Sequence, residues 1–204
     1  MKLKFCGIRR EEDIIFANQT RPDYIGFIFA PSKRYISPED AAEISENLNP
    51  AIKKVGVFVN ETVSGIIHAA DTAGLDVIQL HGDENAEFIS SLREWTECEI
   101  WKAVRVRSSE DILNAEKLGA DTLLLDSFSK EAYGGTGKVA DWHVIKNTPV
   151  GMPFFIAGGL TAENIPEALS TLSPYGLDIS GGIETDGCKD LNKMIVISTI
   201  LGRE

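Results

Sequence analysis

From end to end the chain alternates between short apolar runs and longer amphipathic stretches. The runs are Leu3–Cys6, Tyr24–Phe29, Lys54–Phe58, Val77–Leu80, Ile100–Val104, Thr122–Asp126, Phe154–Ala157 and Leu177–Ser180. Each places Ile, Val, Leu or Phe at consecutive positions, as a strand buried on both faces requires. The segments between them carry helix start and stop signals. Ser37-Pro38-Glu39-Asp40 combines a capping hydroxyl, a proline at the first helical position and acids in the first turn. Ser108-Ser109-Glu110-Asp111 and Thr161-Ala162-Glu163-Asn164 read as similar openings, and Gly74 and Gly119 as closures. Eight βα units in 204 residues give about 25 residues each, a compact form of a barrel that is usually near 250. The expectation is an α/β fold, with residues 1–204 forming one single-domain (β/α)8 TIM barrel. A doubly wound open sheet alternates in the same way, but eight units are many for one. No Gly-x-Gly-x-x-Gly follows the first run either.

Composition narrows the partners. A formal net charge of −11 argues against nucleic acid, which needs a basic footprint. No run approaches the roughly 20 apolar residues of a membrane span, and Met1-Lys2-Leu3-Lys4-Phe5 enters a strand without a signal-peptide pattern. Cys6, Cys98 and Cys188 are odd in number and lack Cys-x-x-Cys spacing, which fits a reducing cytoplasm better than a disulfide framework. No long apolar stripe is evident, so a monomer is expected.

The last two strand runs each end in a glycine pair, Gly158-Gly159 and Gly181-Gly182. Paired glycines let backbone N–H groups approach an anion closely. In a (β/α)8 barrel, the loops after strands seven and eight are where phosphate commonly binds. The expected partner is therefore a phosphorylated small molecule. The longest irregular stretch, Ser127–Lys138, contains Tyr133-Gly134-Gly135-Thr136-Gly137-Lys138 and suits a mobile active-site lid. Its Gly-Lys ending precedes Val139 rather than Ser or Thr, so it is not a P-loop.

Catalytic side chains of such barrels sit at the C-terminal ends of the strands. That rule selects Cys6, Arg34 in the loop after the second run, Gln79, His81, Asp126, Asp178 and Ser180. Cys6 closes the first strand with Gly7 behind it and Lys4 nearby, where a buried structural thiol and a reactive one are both open readings. Asp126 ends the fully apolar Leu123-Leu124-Leu125, where desolvation would favour the protonated carboxyl that a general acid needs. Arg34 can hold a carboxylate in a bidentate fork, which Lys33 does less well. His81 lacks a second histidine or acid at ligand spacing, so no metal site is read.

These strand ends, in order, resemble the phosphoribosylanthranilate isomerase family along essentially the whole chain. The matching motifs are Lys4-Phe5-Cys6-Gly7-Ile8, Gly26-Phe27-Ile28-Phe29, Ser32-Lys33-Arg34-Tyr35-Ile36-Ser37 and Val55-Gly56-Val57-Phe58-Val59-Asn60. Gln79-Leu80-His81-Gly82, Leu124-Leu125-Asp126, Gly134-Gly135-Thr136-Gly137, Ala157-Gly158-Gly159-Leu160 and Asp178-Ile179-Ser180 follow. The resemblance implies an Amadori rearrangement in the tryptophan pathway, without a cofactor or metal. Asp126 would then be the general acid and Cys6 the general base, its thiolate helped by local positive potential. Arg34 would hold the anthranilate carboxylate, and Asp178 would lie beside the aromatic amine. Gln79 and His81 would complete the substrate site. Gly158, Gly159, Ser180, Gly181 and Gly182 would take the phosphate.

The chain departs from the family pattern at two positions near the site. Arg9 stands where the family usually has Thr, and three roles are open to it: helping the thiolate, steering an anionic substrate or facing solvent. Gly181 stands where the family usually has a second Ser, which removes one phosphate contact worth about 1–3 kcal/mol. The competing readings are a metal-dependent epimerase, an indole-glycerol-phosphate synthase using Lys102 as acid, and a catalytically silent barrel. The first lacks ligands, and the last should have lost Cys6 or Asp126.

Overall fold

The computed structural model describes residues 1–126 and 142–203. Eight parallel strands close into a barrel in sequence order. They are β1 (Lys2–Cys6), β2 (Tyr24–Ile28), β3 (Lys53–Phe58), β4 (Val77–Leu80), β5 (Glu99–Arg105), β6 (Thr122–Asp126), β7 (Phe154–Ala157) and β8 (Gly176–Ile179). Every expected run is a strand, and the barrel replaces the open-sheet alternative. Eight helices were also found: α1 (Glu11–Thr20), α2 (Pro38–Ile44), α3 (Val63–Ala73), α4 (Ala86–Arg93), α5 (Ser109–Ala115), α6 (Trp142–Lys146), α7 (Ile165–Thr171) and α8 (Leu191–Ile200). The expected lid at Ser127–Lys138, with Gly134-Gly135-Thr136-Gly137, lies outside the described residues.

The strands are apolar on both faces because each face meets a different core. Inward, Tyr24, Val55, Val77, Trp101, Leu124 and Phe155 fill the barrel. Trp101 and Phe155 stack at 4.7 Å between ring centroids, and Tyr24 meets Trp101 edge-on at 4.9 Å. Outward, Leu3, Phe5, Leu123, Leu125, Ile156 and Leu177 pack against Ile112, Ile145, Ile165 and Met194 of the later helices. Ile25, Phe27, Ile78 and Ile100 do the same against Ile14, Ala41, Ile66 and Leu92 of the earlier ones.

Local signals set most helix ends. Ser37 caps α2 by accepting from the Asp40 N–H at 3.0 Å, and Ser108 shares a capping box with Asp111. Gly74 ends α3 in the left-handed conformation, and Gly119 does the same after α5. The expected opening at Thr161–Asn164 is corrected, since α7 begins at Ile165. Asn164 accepts from the Thr161 N–H and donates to the Gly159 carbonyl, both at 2.9 Å. This local turn competes with helix over those residues. The structure also adds an antiparallel hairpin of β9 (Glu184–Thr185) and β10 (Cys188–Lys189) after the eighth barrel strand. Its turn residues, Asp186 and Gly187, both have positive φ, the conformation for which Asp-Gly is suited.

The aromatic floor is a stability determinant. Phe155→Ala is expected to cost about 3–5 kcal/mol, read as a fall in the urea midpoint at unchanged slope. An unchanged midpoint would show that the stacked rings contribute nothing.

Candidate active site

The C-terminal mouth of the barrel collects the residues that the strand-end rule selected. Cys6 ends β1 with 6% of its surface exposed, and Asp126 ends β6 with its side chain 27% exposed. Strands β7 and β8 lie between them in the barrel, so the two glycine-paired loops stand between thiol and carboxyl. Gly158 and Gly159 have φ of 89° and 67°, and a Cβ on Gly182 would lie 1.9 Å from the Leu160 carbonyl oxygen. The loops after β7 and β8 therefore touch through backbone, and only glycine allows it. Ser180 Oγ is buried at this junction and has no hydrogen-bond partner among the described residues.

Gln79 and His81 gather on the Asp126 side. Gln79 Nε2 lies 3.1 Å from His81 Nδ1, and His81 Nε2 lies 3.7 Å from Asp126 Oδ2. The carboxylate nearest His81 in the site thus comes from two strands away, not from the neighbouring Asp83 or Glu84.

The Cys6 side is more highly charged than the sequence suggests. Lys4 is fully buried and donates from Nζ to Asp178 Oδ1 at 2.9 Å. Its ammonium also lies near the Cys6 sulfur, both bordering the space beside Gly26. Burial alone would strip the proton from Lys4, but Asp178 and Cys6 bring its pKa above the usual lysine value. For Cys6, burial pushes the thiol up, Lys4 and Lys189 pull it down, and Asp178 pushes it up again. The net direction is upward. This corrects the expectation that positive surroundings would lower it: the cations are present, but desolvation outweighs them.

Arg34 reaches the same region already held. Its Nε and Nη2 donate to the two oxygens of Glu184 at 2.6 and 2.7 Å. Lys189 Nζ donates to Glu184 Oε1 at 2.8 Å and to the Ser180 carbonyl at 3.1 Å. Burial would raise the Glu184 carboxyl, yet Arg34 and Lys189 hold it at about 2. Arg9 has a structural role that the sequence did not suggest. Its guanidinium donates to the Lys33 carbonyl at 3.2 Å and to the Gly187 carbonyl at 3.0 Å, tying the Arg34 loop to the hairpin tip.

Glu184 and Lys189 were missed as site residues. The Asp186-Gly187 turn between them was the available signal. Lys4 carried a signal too, as a charge two residues before Cys6 and so on the same strand face. The synthase reading loses its acid, because Lys102 is buried and already paired. Its Nζ donates to the Gly82 carbonyl at 2.6 Å and to Glu84 at 3.0 Å. Among the described residues, no three His, Cys, Asp or Glu side chains come together to hold a metal.

Comparison with known proteins agrees with this geometry. The family model described as N-(5'phosphoribosyl)anthranilate (PRA) isomerase matches residues 3–199. The N-(5'-phosphoribosyl)anthranilate isomerase of Caldanaerobacter subterraneus subsp. tengcongensis is 45% identical, over 95% of this chain and 94% of that one. The phosphoribosyl anthranilate isomerase crystal structure from Thermotoga maritima superposes with a TM-score of 0.88 at 37% identity, covering 99% of both chains. A further such structure, in complex with reduced 1-(o-carboxyphenylamino)-1-deoxyribulose 5-phosphate, gives a TM-score of 0.84 at 34% identity over 98% and 97% of the two chains. A barrel that matches over its full length and carries a thiol, an acid and a glycine-paired cradle at one mouth belongs to the N-(5'-phosphoribosyl)anthranilate isomerase family.

Proposed function

We propose that Cys6 and Asp126 are the base and acid by which this chain isomerises N-(5-phosphoribosyl)anthranilate to 1-(2-carboxyphenylamino)-1-deoxyribulose 5-phosphate. The observation that carries this reading is their placement on either side of the β7–β8 loops at one barrel mouth. The reaction is an intramolecular redox change from aldose to ketose, so no external oxidant is consumed. Asp126 protonates the furanose ring oxygen as the C1′–O bond breaks, leaving a Schiff base. The Cys6 thiolate takes the C2′ proton, and the resulting enolamine tautomerises to the ketone. At ordinary pKa values about 3% of a thiol is ionised and about 0.1% of a carboxyl protonated at pH 7. The site must therefore supply the reactive forms by its environment.

The backbone around Gly158, Gly159, Gly181 and Gly182, with the unpartnered Ser180 hydroxyl, takes the phosphate. Arg34 meets the anthranilate carboxylate with the guanidinium edge that Glu184 leaves uncovered. Asp178 lies beside the amine, and Gln79 and His81 line the acid side. No described helix is long and apolar enough to cross a membrane. All three cysteines are free, which supports a reducing cytoplasm as the compartment.

Loss of substrate fluorescence on mixing with freshly made phosphoribosylanthranilate tests the assignment. The unaltered protein is expected to convert the substrate, while Cys6→Ala and Asp126→Asn each lose at least about 100-fold in kcat. An inactive unaltered protein, or full activity in both variants, would overturn the reading. Arg34→Lys is expected to raise KM more than it lowers kcat, because it exchanges a planar fork for a point charge.

The Glu184 cluster predicts an acid limb of stability. A carboxyl held below its unfolded value stabilises the fold above pH 4.5, and that contribution is lost as pH falls towards about 2. Glu184→Gln is therefore expected to be less stable than the unaltered protein at neutral pH, with the difference shrinking through that window. Chemical denaturation at a series of pH values measures it, and a pH-independent difference would contradict the ion cluster.

A further inference from the structure

Lys4 is the one fully buried ammonium inside the described barrel mouth, and the acid–base scheme does not use it. Strand register explains how it comes to stand beside the base. Lys4 and Cys6 are two residues apart on β1, so both project into the barrel. Lys4 lies opposite Asp178 of β8, and Cys6 lies opposite Gly26 of β2. A Cβ at Gly26 would fall 2.8 Å from Cys6 Sγ and 3.2 Å from Lys4 Nζ. The missing side chain is the space in which sulfur and ammonium meet.

We propose that Lys4 is a positioning residue for the isomerisation: its ammonium, steered by Asp178 into the Gly26 notch, is the counter-charge that offsets the desolvation of the Cys6 thiolate. The proposal rests on Cys6 being the base. Three cations face the sulfur: Lys4 from β1, Lys189 from β10 and Arg34 from the loop after β2. Asp178 on β8 pairs with Lys4, and Glu184 on β9 pairs with both Lys189 and Arg34. Three cations against two carboxylates leave one positive charge, which a thiolate neutralises. Of the three, Lys4 is the cation not shared with Glu184. A lysine suits the position because its charge is compact, whereas a guanidinium would overfill a notch only one Cβ wide. Asp178 fixes the ammonium from the far side, so the charge does not need to reorganise when the sulfur gains or loses its proton.

The test is titration of the Cys6 thiol by thiolate ultraviolet absorbance and by alkylation rate with iodoacetamide. It uses a chain with Cys98→Ser and Cys188→Ser, with the Cys6→Ala counterpart as blank. Lys4→Met is expected to move the Cys6 midpoint up by about one to three pH units, a ten- to thousand-fold loss of thiolate at a fixed lower pH. The alkaline rise of kcat with pH should move by the same amount. An unchanged midpoint in folded Lys4→Met protein overturns the proposal. If that variant does not fold, Asp178→Asn is compared with Lys4→Met/Asp178→Asn, in which no buried charge is left without its partner. A higher midpoint in the double variant upholds the proposal, and equal midpoints refute it. Failure of the base assignment reads out separately, as full isomerase activity in Cys6→Ala.

Discussion

The ion pair between Lys4 and Asp178 is the contact on which barrel and site both depend. A cyclic sheet must close somewhere, and this one closes where β1 meets β8, with Lys4 opposite Asp178. The residues on either side, Leu3 opposite Leu177 and Phe5 opposite Ile179, are apolar and face the helices. Slipping the seam by one residue would set Lys4 against Leu177 or Ile179 and leave a buried ammonium without its carboxylate. Such an orphan charge costs several kcal/mol, far more than a mismatch among aliphatic side chains. Burying the pair is itself no gain in stability, since desolvation offsets most of the Coulomb attraction. What it supplies is register at the seam, while the β1–β2 pairing on the other edge of the strand sets Cys6 opposite Gly26.

The mouth then divides by charge. On one side Cys6 sits among Lys4, Lys189 and Arg34, in a chain whose overall charge is −11. On the other, Asp126 faces His81 and Gln79. The cradle lies between them, so a phosphate anchored there leaves the sugar reachable from both sides. An acidic protein can bind an anionic substrate because the field that matters is set within a few ångströms, inside walls of low dielectric. The aromatic floor of Trp101, Phe155 and Tyr24 excludes water from below and gives the charged layer a rigid base.

Each part was legible in the sequence to the extent that its physics is local. Strands buried on both faces leave short apolar runs, and their regular recurrence separated them from the apolar stretches inside α1 and α8, so all eight were readable to within a residue or so of their ends. Strand-end chemistry was readable because the fold fixes where strand ends go. The sign of the Cys6 shift was not, because desolvation depends on the packing above and around the sulfur, which no local pattern encodes. Arg34 and Glu184 are 150 residues apart in the chain, and only the closed barrel brings them into one fork. The α7 boundary failed for the opposite reason. Thr161–Asn164 has a capping composition, but Asn164 spends its side chain on the turn before the helix.

The two departures from the family pattern, Arg9 and Gly181, are far apart in sequence and meet at one guanidinium. A Cβ at Gly181 would lie 3.7 Å from Arg34 Nη2, so the absent serine would have stood against Arg34 as well as against a phosphate. Without it, Nη2 is held by Glu184 Oε2 at 2.7 Å. Arg9 acts one step further back, bridging the carbonyl of Lys33, the residue before Arg34, to that of Gly187 at the hairpin tip. The hairpin in turn carries Glu184 and Lys189. Arg34 is thus fixed at its side chain by the hairpin's carboxylate and at its backbone by a tie to the same hairpin. In this chain the orientation of the Arg34 guanidinium rests on the hairpin turned by Asp186-Gly187, which carries Glu184. Arg9 and Gly181 thus both bear on Arg34, one through the backbone of its loop and the other through the space beside Nη2.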